Sequence, residues 1–259
     1  MKFLITTLAF LFTCLLQAKG THATATWVLE SAEIKKGAPL RTVIKMKIND
    51  GWHTYWENPG EGGLPLSIDA TLPKNWTLGK IQYPAPKRFK TGELPGFGYE
   101  KEVDFPLTIH PPANFIGKLP VISATVSWLT CDDESCVPGD AELSSTTATT
   151  DVEIIQASYA AVPKKIEKAN LKLSSSEGLI TLRLTLPVDS KVDPTQLEGF
   201  PATENIIDPA AKLKFEKATD SKQAWIATAP VSEYFSKLPK AFKLVLAKKG
   251  GTSYAIFSN

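Results

Sequence analysis

Leu40-Arg-Thr-Val-Ile-Lys-Met-Lys-Ile48 runs into Asn49-Asp-Gly51, and its second half sets apolar Ile44, Met46 and Ile48 against charged Lys45 and Lys47. That period of two is the mark of a strand with one buried face, and Asn-Asp-Gly supplies the turn that ends it. The pattern extends outward in both directions. Trp27-Val-Leu-Glu-Ser-Ala-Glu-Ile34 precedes it, further strands are expected at 66–70, 80–83, 103–109, 121–129 and 141–145, and Pro and Gly punctuate the chain. Short strands between regular turn signals predict an all-β chain of antiparallel β-sandwich type.

From about residue 144 to 170 the composition shifts to Ser, Thr, Ala and Lys, which reads as a connector with a short helix expected near 164–169. Lys164, Lys165 and Lys168 fall in that polar stretch and read as a solvated face. Strand candidates resume at 179–186, 213–217, 224–228 and 242–247. The expected organisation is a first sandwich over 26–153, a linker over 154–170 and a second, smaller sandwich over 171–259. Residues 1–25 read as a secretory signal peptide: Met1-Lys2, an apolar run over 3–16, and cleavage points after Ala18 or Ala25. The run falls short of the ~20 residues that span a bilayer. The mature chain is expected in the periplasm or outside the cell, with no membrane span.

Formal charge is only +2 on 259 residues, so no basic surface points to nucleic acid. Gly-x-Ser-x-Gly, phosphate-loop and His-Glu-x-x-His motifs are missing from the sequence. Glu57 and Glu61 share a Gly- and Pro-rich loop, where spacing says nothing of a glycosidase pair. What remains is Cys131 and Cys136, in Trp128-Leu-Thr-Cys-Asp-Asp-Glu-Ser-Cys-Val-Pro-Gly139. Signal removal takes Cys14 away and leaves an even count, which in an oxidising compartment points to a disulfide. A ring this short restrains the unfolded chain by only ~2 kcal/mol, against ~4.7 for a loop of about 100 residues. Spacing alone leaves a redox pair and a structural staple both open.

The Gly- and aromatic-rich run Asp50-Gly-Trp-His-Thr-Tyr-Trp-Glu-Asn-Pro-Gly-Glu-Gly-Gly-Leu-Pro65 is too turn-rich for an ordinary strand. With Tyr83-Pro-Ala-Pro-Lys-Arg-Phe89, Gly96-Phe-Gly-Tyr-Glu100 and the cysteine loop, it resembles the amino-terminal periplasmic domain of the DsbD and ScsB thiol:disulfide interchange proteins. The segment from about residue 171 onward, with Phe200-Pro and Ile207-Asp-Pro-Ala-Ala211, resembles the second β-domain of the ScsB-type periplasmic region.

The resemblance implies two immunoglobulin-like sandwiches and a thiol:disulfide oxidoreductase component. Its Cys131/Cys136 pair would cycle between dithiol and disulfide, relaying reducing equivalents to exported thioredoxin-fold proteins. Cys136 would bond to the partner and Cys131 would resolve the bond. Family members continue into a membrane domain and a thioredoxin-like domain, so electrons are expected from a separate membrane donor. The resemblance also implies an aromatic cap over the cysteines, with Phe97 the candidate, Leu94 fitting the same loop, and Tyr99 beside it. Tyr55 and Trp52 are expected to flank the disulfide.

The acids Asp132, Asp133 and Glu134 disfavour thiolate by like-charge repulsion, or simply form a solvated turn. His53 is expected to make a structural hydrogen bond, with proton exchange to a thiol as its alternative. His110, ahead of Pro111-Pro112, reads as a loop residue. No cofactor and no metal ligand set is expected. The rival readings are a non-catalytic adaptor with a permanent Cys131–Cys136 disulfide, and a copper-handling role suggested only by the ScsB resemblance.

Overall fold

The computed structural model describes residues 22–248 and 250–258; Cys14 and all but the last four residues of the signal peptide expected over 1–25 lie outside them. The chain forms two antiparallel β-sandwiches. In the first, the strands are β1 (Ala23–Leu29), β2 (Leu40–Ile48), β3 (His53–Gly60), β4 (Ser67–Thr71), β5 (Lys87–Thr91), β6 (Leu94–Glu100), β7 (Glu102–His110), β8 (Ser123–Cys131) and β9 (Cys136–Ser144). One sheet orders β1-β2-β7; the facing sheet orders β9-β8-β3-β6-β5, with β4 also paired to β8. Ile44 and Met46 point inward from β2, as their alternation predicts, and meet Trp56, Phe105, Leu107, Val126 and Trp128 in one apolar core.

The strand read from 40 to 48 is present with those bounds. Residues 80–83 are not a strand. The turn-rich motif after Asp50 is half strand: β3 pairs with β6 from His53 opposite Glu100 to Tyr55 opposite Gly98, then slips register before Gly60 meets Gly96. His110 ends β7 rather than sitting in a loop. The strand Ala23–Leu29 pairs from its first residue, Ala23 opposite Ile48, so a boundary at residue 26 falls inside an element.

The connector holds a helix, α1 (Val152–Ala161), where none was expected, and 164–169 is not helical. The physical reason is local: the Asp151 carboxylate caps the first turn by accepting from the Ile154 amide at 2.9 Å, and Pro163 follows just past its end. Ile155 buries its side chain against Val28 and Val43, and the Tyr159 hydroxyl donates to the Leu107 carbonyl at 2.8 Å. The helix is thereby part of the first sandwich's outer layer. Lys164 and Lys165 instead add a parallel edge beside Tyr254 and Ala255 in the second sandwich.

That second unit has β10 (Asn170–Ser176), β11 (Leu179–Thr185), β12 (Glu198–Pro201), β13 (Ala224–Pro230), β14 (Lys243–Ala247) and β15 (Tyr254–Phe257). Its sheets order β10-β11-β13 and β15-β14-β12 over a core of Leu182, Leu184, Trp225, Phe242, Leu244 and Ile256. The two sandwiches are joined by a seam. Phe200 of β12 lies edge-on to Trp56 and Phe97, at 6.4 and 5.9 Å between centroids. Arg88 of β5 stacks over Phe97 and Phe200 and donates to the Glu198 carboxylate and to the Pro209 and Ala211 carbonyls. Glu57 pairs with Lys243, and the Asn58 amide donates to the Pro201 carbonyl at 2.7 Å.

Candidate functional site: a disulfide at the end of a strand pair

Strands β8 and β9 pair without a break from Ser123 opposite Ser144 to Cys131 opposite Cys136, and the last pair is closed by a disulfide with Cα atoms 4.1 Å apart. The four intervening residues form a turn built on one side chain. Asp132 Oδ1 accepts from the amides of Glu134 and Ser135 at 2.9 and 2.7 Å and from the Ser135 hydroxyl at 3.1 Å. Those backbone donors hold the Asp132 carboxyl below the usual range. The acid run is therefore first a turn device, and it keeps a negative charge beside the sulfurs.

The two cysteines differ sharply in access. Cys131 is fully buried, whereas Cys136 is exposed. Cys131 lies on the face of the sheet opposite the core, and cross-strand pairing brings four residues to that face. His53 is directly opposite Cys131, Glu100 is opposite His53, and Gly98 is opposite Tyr55. Tyr55 donates its hydroxyl to Cys131 Sγ at 3.0 Å. The Thr91 hydroxyl, at the end of β5, sits 3.3 Å from the Tyr55 oxygen and 2.8 Å from His53 Nε2. Phe89 covers this group, 3.8 Å from the His53 ring and 5.5 Å from the Tyr55 ring.

Two glycines make the arrangement fit. A Cβ on Gly63 would come within 2.2 Å of Tyr55 Cδ1, so the glycine-rich loop lies directly on that ring. A Cβ on Gly98 would meet the Thr54 carbonyl oxygen at 1.9 Å and Phe89 Cε1 at 2.9 Å. Burial lowers the affinity of His53 for a proton, opposed by Glu100, Asp133 and Asp132, and burial pushes the Tyr55 phenol up.

Of the residues expected around the cysteines, Tyr55 is there and the others are not. Residues alternate faces along a strand, and the register puts Phe97 and Tyr99 on the core side of β6 while Gly96 and Gly98 share the cysteine side. Phe97 is fully buried in the seam between Trp56, Arg88 and Phe200. Tyr99 packs on Phe105 and donates to the Pro84 carbonyl at 2.8 Å. Trp52 stacks on His22 at 3.4 Å. Leu94 is exposed and touches the glycine loop at Gly62. The aromatic residue over the site is Phe89, and sequence reasoning missed both it and Thr91. The available signal was cross-strand parity: Phe89 and Thr91 sit two apart in Lys-Arg-Phe-Lys-Thr, so they share a face. Among the described residues, no three His, Cys, Asp or Glu side chains gather as a metal site.

This site and fold describe an immunoglobulin-like domain bearing a half-exposed disulfide at the end of a strand pair. Residues 23–148 match the family of the amino-terminal domain of the thiol:disulfide interchange protein DsbD. The chain is also similar in fold to the crystal structure of the N-terminal periplasmic domain of ScsB from Proteus mirabilis. That match has a TM-score of 0.59 at 19% identity, and it covers 91% of this chain and 90% of that one. No curated protein matches the chain. Among the described residues, no helix is long and apolar enough to cross a membrane.

Proposed function

We propose that this protein performs thiol–disulfide interchange in the periplasm. Its Cys131/Cys136 pair takes reducing equivalents from a membrane electron carrier and passes them to exported thioredoxin-fold proteins. The observation that carries this reading is the asymmetry of the pair: an exposed Cys136 that a partner thiol or disulfide can reach, and a buried Cys131 that can only act on its neighbour. Exchange proceeds by attack of a thiolate on a disulfide sulfur through a mixed disulfide. Cys136 forms that mixed disulfide and Cys131 resolves it, closing the ring and releasing the partner.

The family that the first sandwich matches supports interchange as the chemistry, and the seam gives the second sandwich a fixed place beside strand β5 of the site. Equilibration of the mature chain with graded ratios of reduced and oxidised thiol, followed by alkylation and mass spectrometry, tests the reading. A midpoint between about −270 and −120 mV, the span of known exchange proteins, supports it. A pair that stays oxidised below about −300 mV makes the disulfide a permanent staple and the protein a non-catalytic adaptor.

A further inference from the structure

We propose that Tyr55, Thr91 and His53 form a proton wire to the buried sulfur, and that His53 is the base that takes the proton when Cys131 resolves a mixed disulfide. The inference rests on the interchange reading and adds to it the fate of one proton. A thiol at Cys131 is sealed from solvent, so a water molecule cannot collect its proton. The structure offers one polar path instead. From Cys131 Sγ it runs 3.0 Å to the Tyr55 hydroxyl, 3.3 Å to the Thr91 hydroxyl and 2.8 Å to His53 Nε2.

Each hydroxyl both accepts and donates, so a proton entering at one end leaves at the other by one hop along each of the three hydrogen bonds. Before resolution, the thiol donates to Tyr55, Tyr55 to Thr91, and Thr91 to the bare Nε2 of a neutral imidazole. Afterwards, every donor points toward sulfur: Nε2–H to Thr91, Thr91 to Tyr55, and Tyr55 to Sγ. That final order agrees with the Tyr55 hydroxyl donating to Cys131 in the oxidised pair.

The step balances as follows. The Cys131 S–H bond breaks, the Cys131–Cys136 S–S bond forms, and the bond from Cys136 to the partner sulfur breaks. The two electrons lost by the cysteine pair reside on the departing partner thiolate, and the proton rests on His53 Nε2. Run in reverse, attack of a partner thiolate on Cys136 draws the same proton back to Cys131.

The surroundings of His53 suit a base that is neutral at rest and tolerates a charge. Burial favours the neutral ring, while Glu100 across the strand pair and Asp132 and Asp133 in the cysteine turn favour the imidazolium. Lys87 partly offsets Glu100, pairing with it at 3.6 Å on the exposed side. Tyr55, Phe89 and Thr91 complete the wall and carry no charge.

The test is stopped-flow reaction of the reduced mature chain with 5,5′-dithiobis(2-nitrobenzoate). The first release of nitrothiobenzoate reports attack by Cys136. The second reports resolution by Cys131. Thr91→Val preserves shape and cuts the path; Thr91→Ser restores a hydroxyl; His53→Gln keeps a donor toward Thr91 but accepts no proton. The expected result is a second phase slowed about 10²-fold in Thr91→Val and His53→Gln. In both, the rate then rises with hydroxide as for an unassisted thiol, while Thr91→Ser stays near wild type and the first phase is unchanged in all. A second phase in Thr91→Val with wild-type rate and pH profile overturns the wire and leaves the exchange reading intact. A slow second phase that Thr91→Ser does not rescue, with a lowered melting temperature in the oxidised protein, assigns Thr91 a packing role and also overturns it. Failure of the wild-type pair to be reduced at all removes the exchange reading and the wire with it.

Discussion

Cys131 and Cys136 face each other across the last rung of one strand pair, yet one is sealed and the other open to solvent. The difference comes from what lies over each: Cys131 is covered by Tyr55 and its neighbours, whereas Cys136 begins the outermost strand of its sheet. In the reduced protein, iodoacetamide is expected to modify Cys136 at least about tenfold faster than Cys131, since reactivity follows access as well as thiolate character. Cys131→Ala is then expected to accumulate mixed disulfides through Cys136, and Cys136→Ala to accumulate few. Peptide mass spectrometry after a short alkylation pulse reads the first, and non-reducing gels of the purified variants with a thioredoxin-fold protein read the second. Equal alkylation of both sulfurs would contradict the division of roles.

Gly98 is expected to tolerate no side chain. Its added Cβ would overlap the Thr54 carbonyl oxygen, which is backbone and cannot swing away, as well as the Phe89 ring. Overpacking of this kind costs about 3 kcal/mol or more where rigid atoms must move. Gly98→Ala should therefore lower the urea midpoint strongly, and it should shift Phe89 enough to raise the access of Cys131 to alkylation. A midpoint within error of wild type would contradict this account of the close approach.

His53 ties stability to pH. Burial holds it below the ordinary histidine value of 6.5, so the unfolded chain takes up a proton before the folded chain does. Where the unfolded state binds more protons, stability rises with pH. The contribution is complete above 6.5 and is lost as pH falls from there through the lower, folded value. Urea midpoints at about pH 8 and about pH 5 should fall further for wild type than for His53→Gln, which does not titrate in that window. Parallel curves for the two proteins would contradict it.

Arg88 carries much of the polar contact in the seam. Arg88→Met removes a pair with Glu198 whose side chains are 18% and 33% exposed, together with two carbonyl contacts from the second sandwich. Breaking a buried pair costs 3–5 kcal/mol, and partial exposure screens it. The expected loss is about 2 kcal/mol by urea unfolding. A loss below about 0.5 kcal/mol, the ordinary value for a surface substitution, would show that the polar contacts of Arg88 add nothing to the seam.

How much of this was legible depended on whether a residue's face could be read locally. The strand ending at Ile48 announced its period, and the cysteine pair announced itself by number and compartment. The class of fold followed from spacing. The cap did not. Phe97 and Phe89 both lie in Gly- or Pro-flanked aromatic stretches, and only the pairing of β5 with β6, Arg88 opposite Phe97 and Phe89 opposite Gly96, decides which ring faces sulfur. That pairing joins residues across a hairpin whose strand β5 reads Lys-Arg-Phe-Lys-Thr, with too few apolar residues to show a period. The helix α1 was hidden for a related reason: its one fully buried apolar residue is Ile155, its other anchors are the hydroxyls of Ser158 and Tyr159, and its start is set by the single carboxylate of Asp151. Thr91 was invisible because a lone threonine gains meaning only from the tyrosine and histidine it touches.

The seam described above draws Phe200, Val245 and Ala247 of the second sandwich into the same apolar cluster as Trp56 and Phe97 of the first. Two units that share a core cannot melt independently, because opening either one strands apolar surface of the other in water. The pair is accordingly expected to unfold as one cooperative block, with a single heat-absorption peak rather than two. Residue 88 of strand β5 lies in that block, and residues 89 and 91 of the same strand touch the cysteine site. The rigidity of the reactive end is thus borrowed from the whole chain rather than generated by the domain that carries the sulfurs.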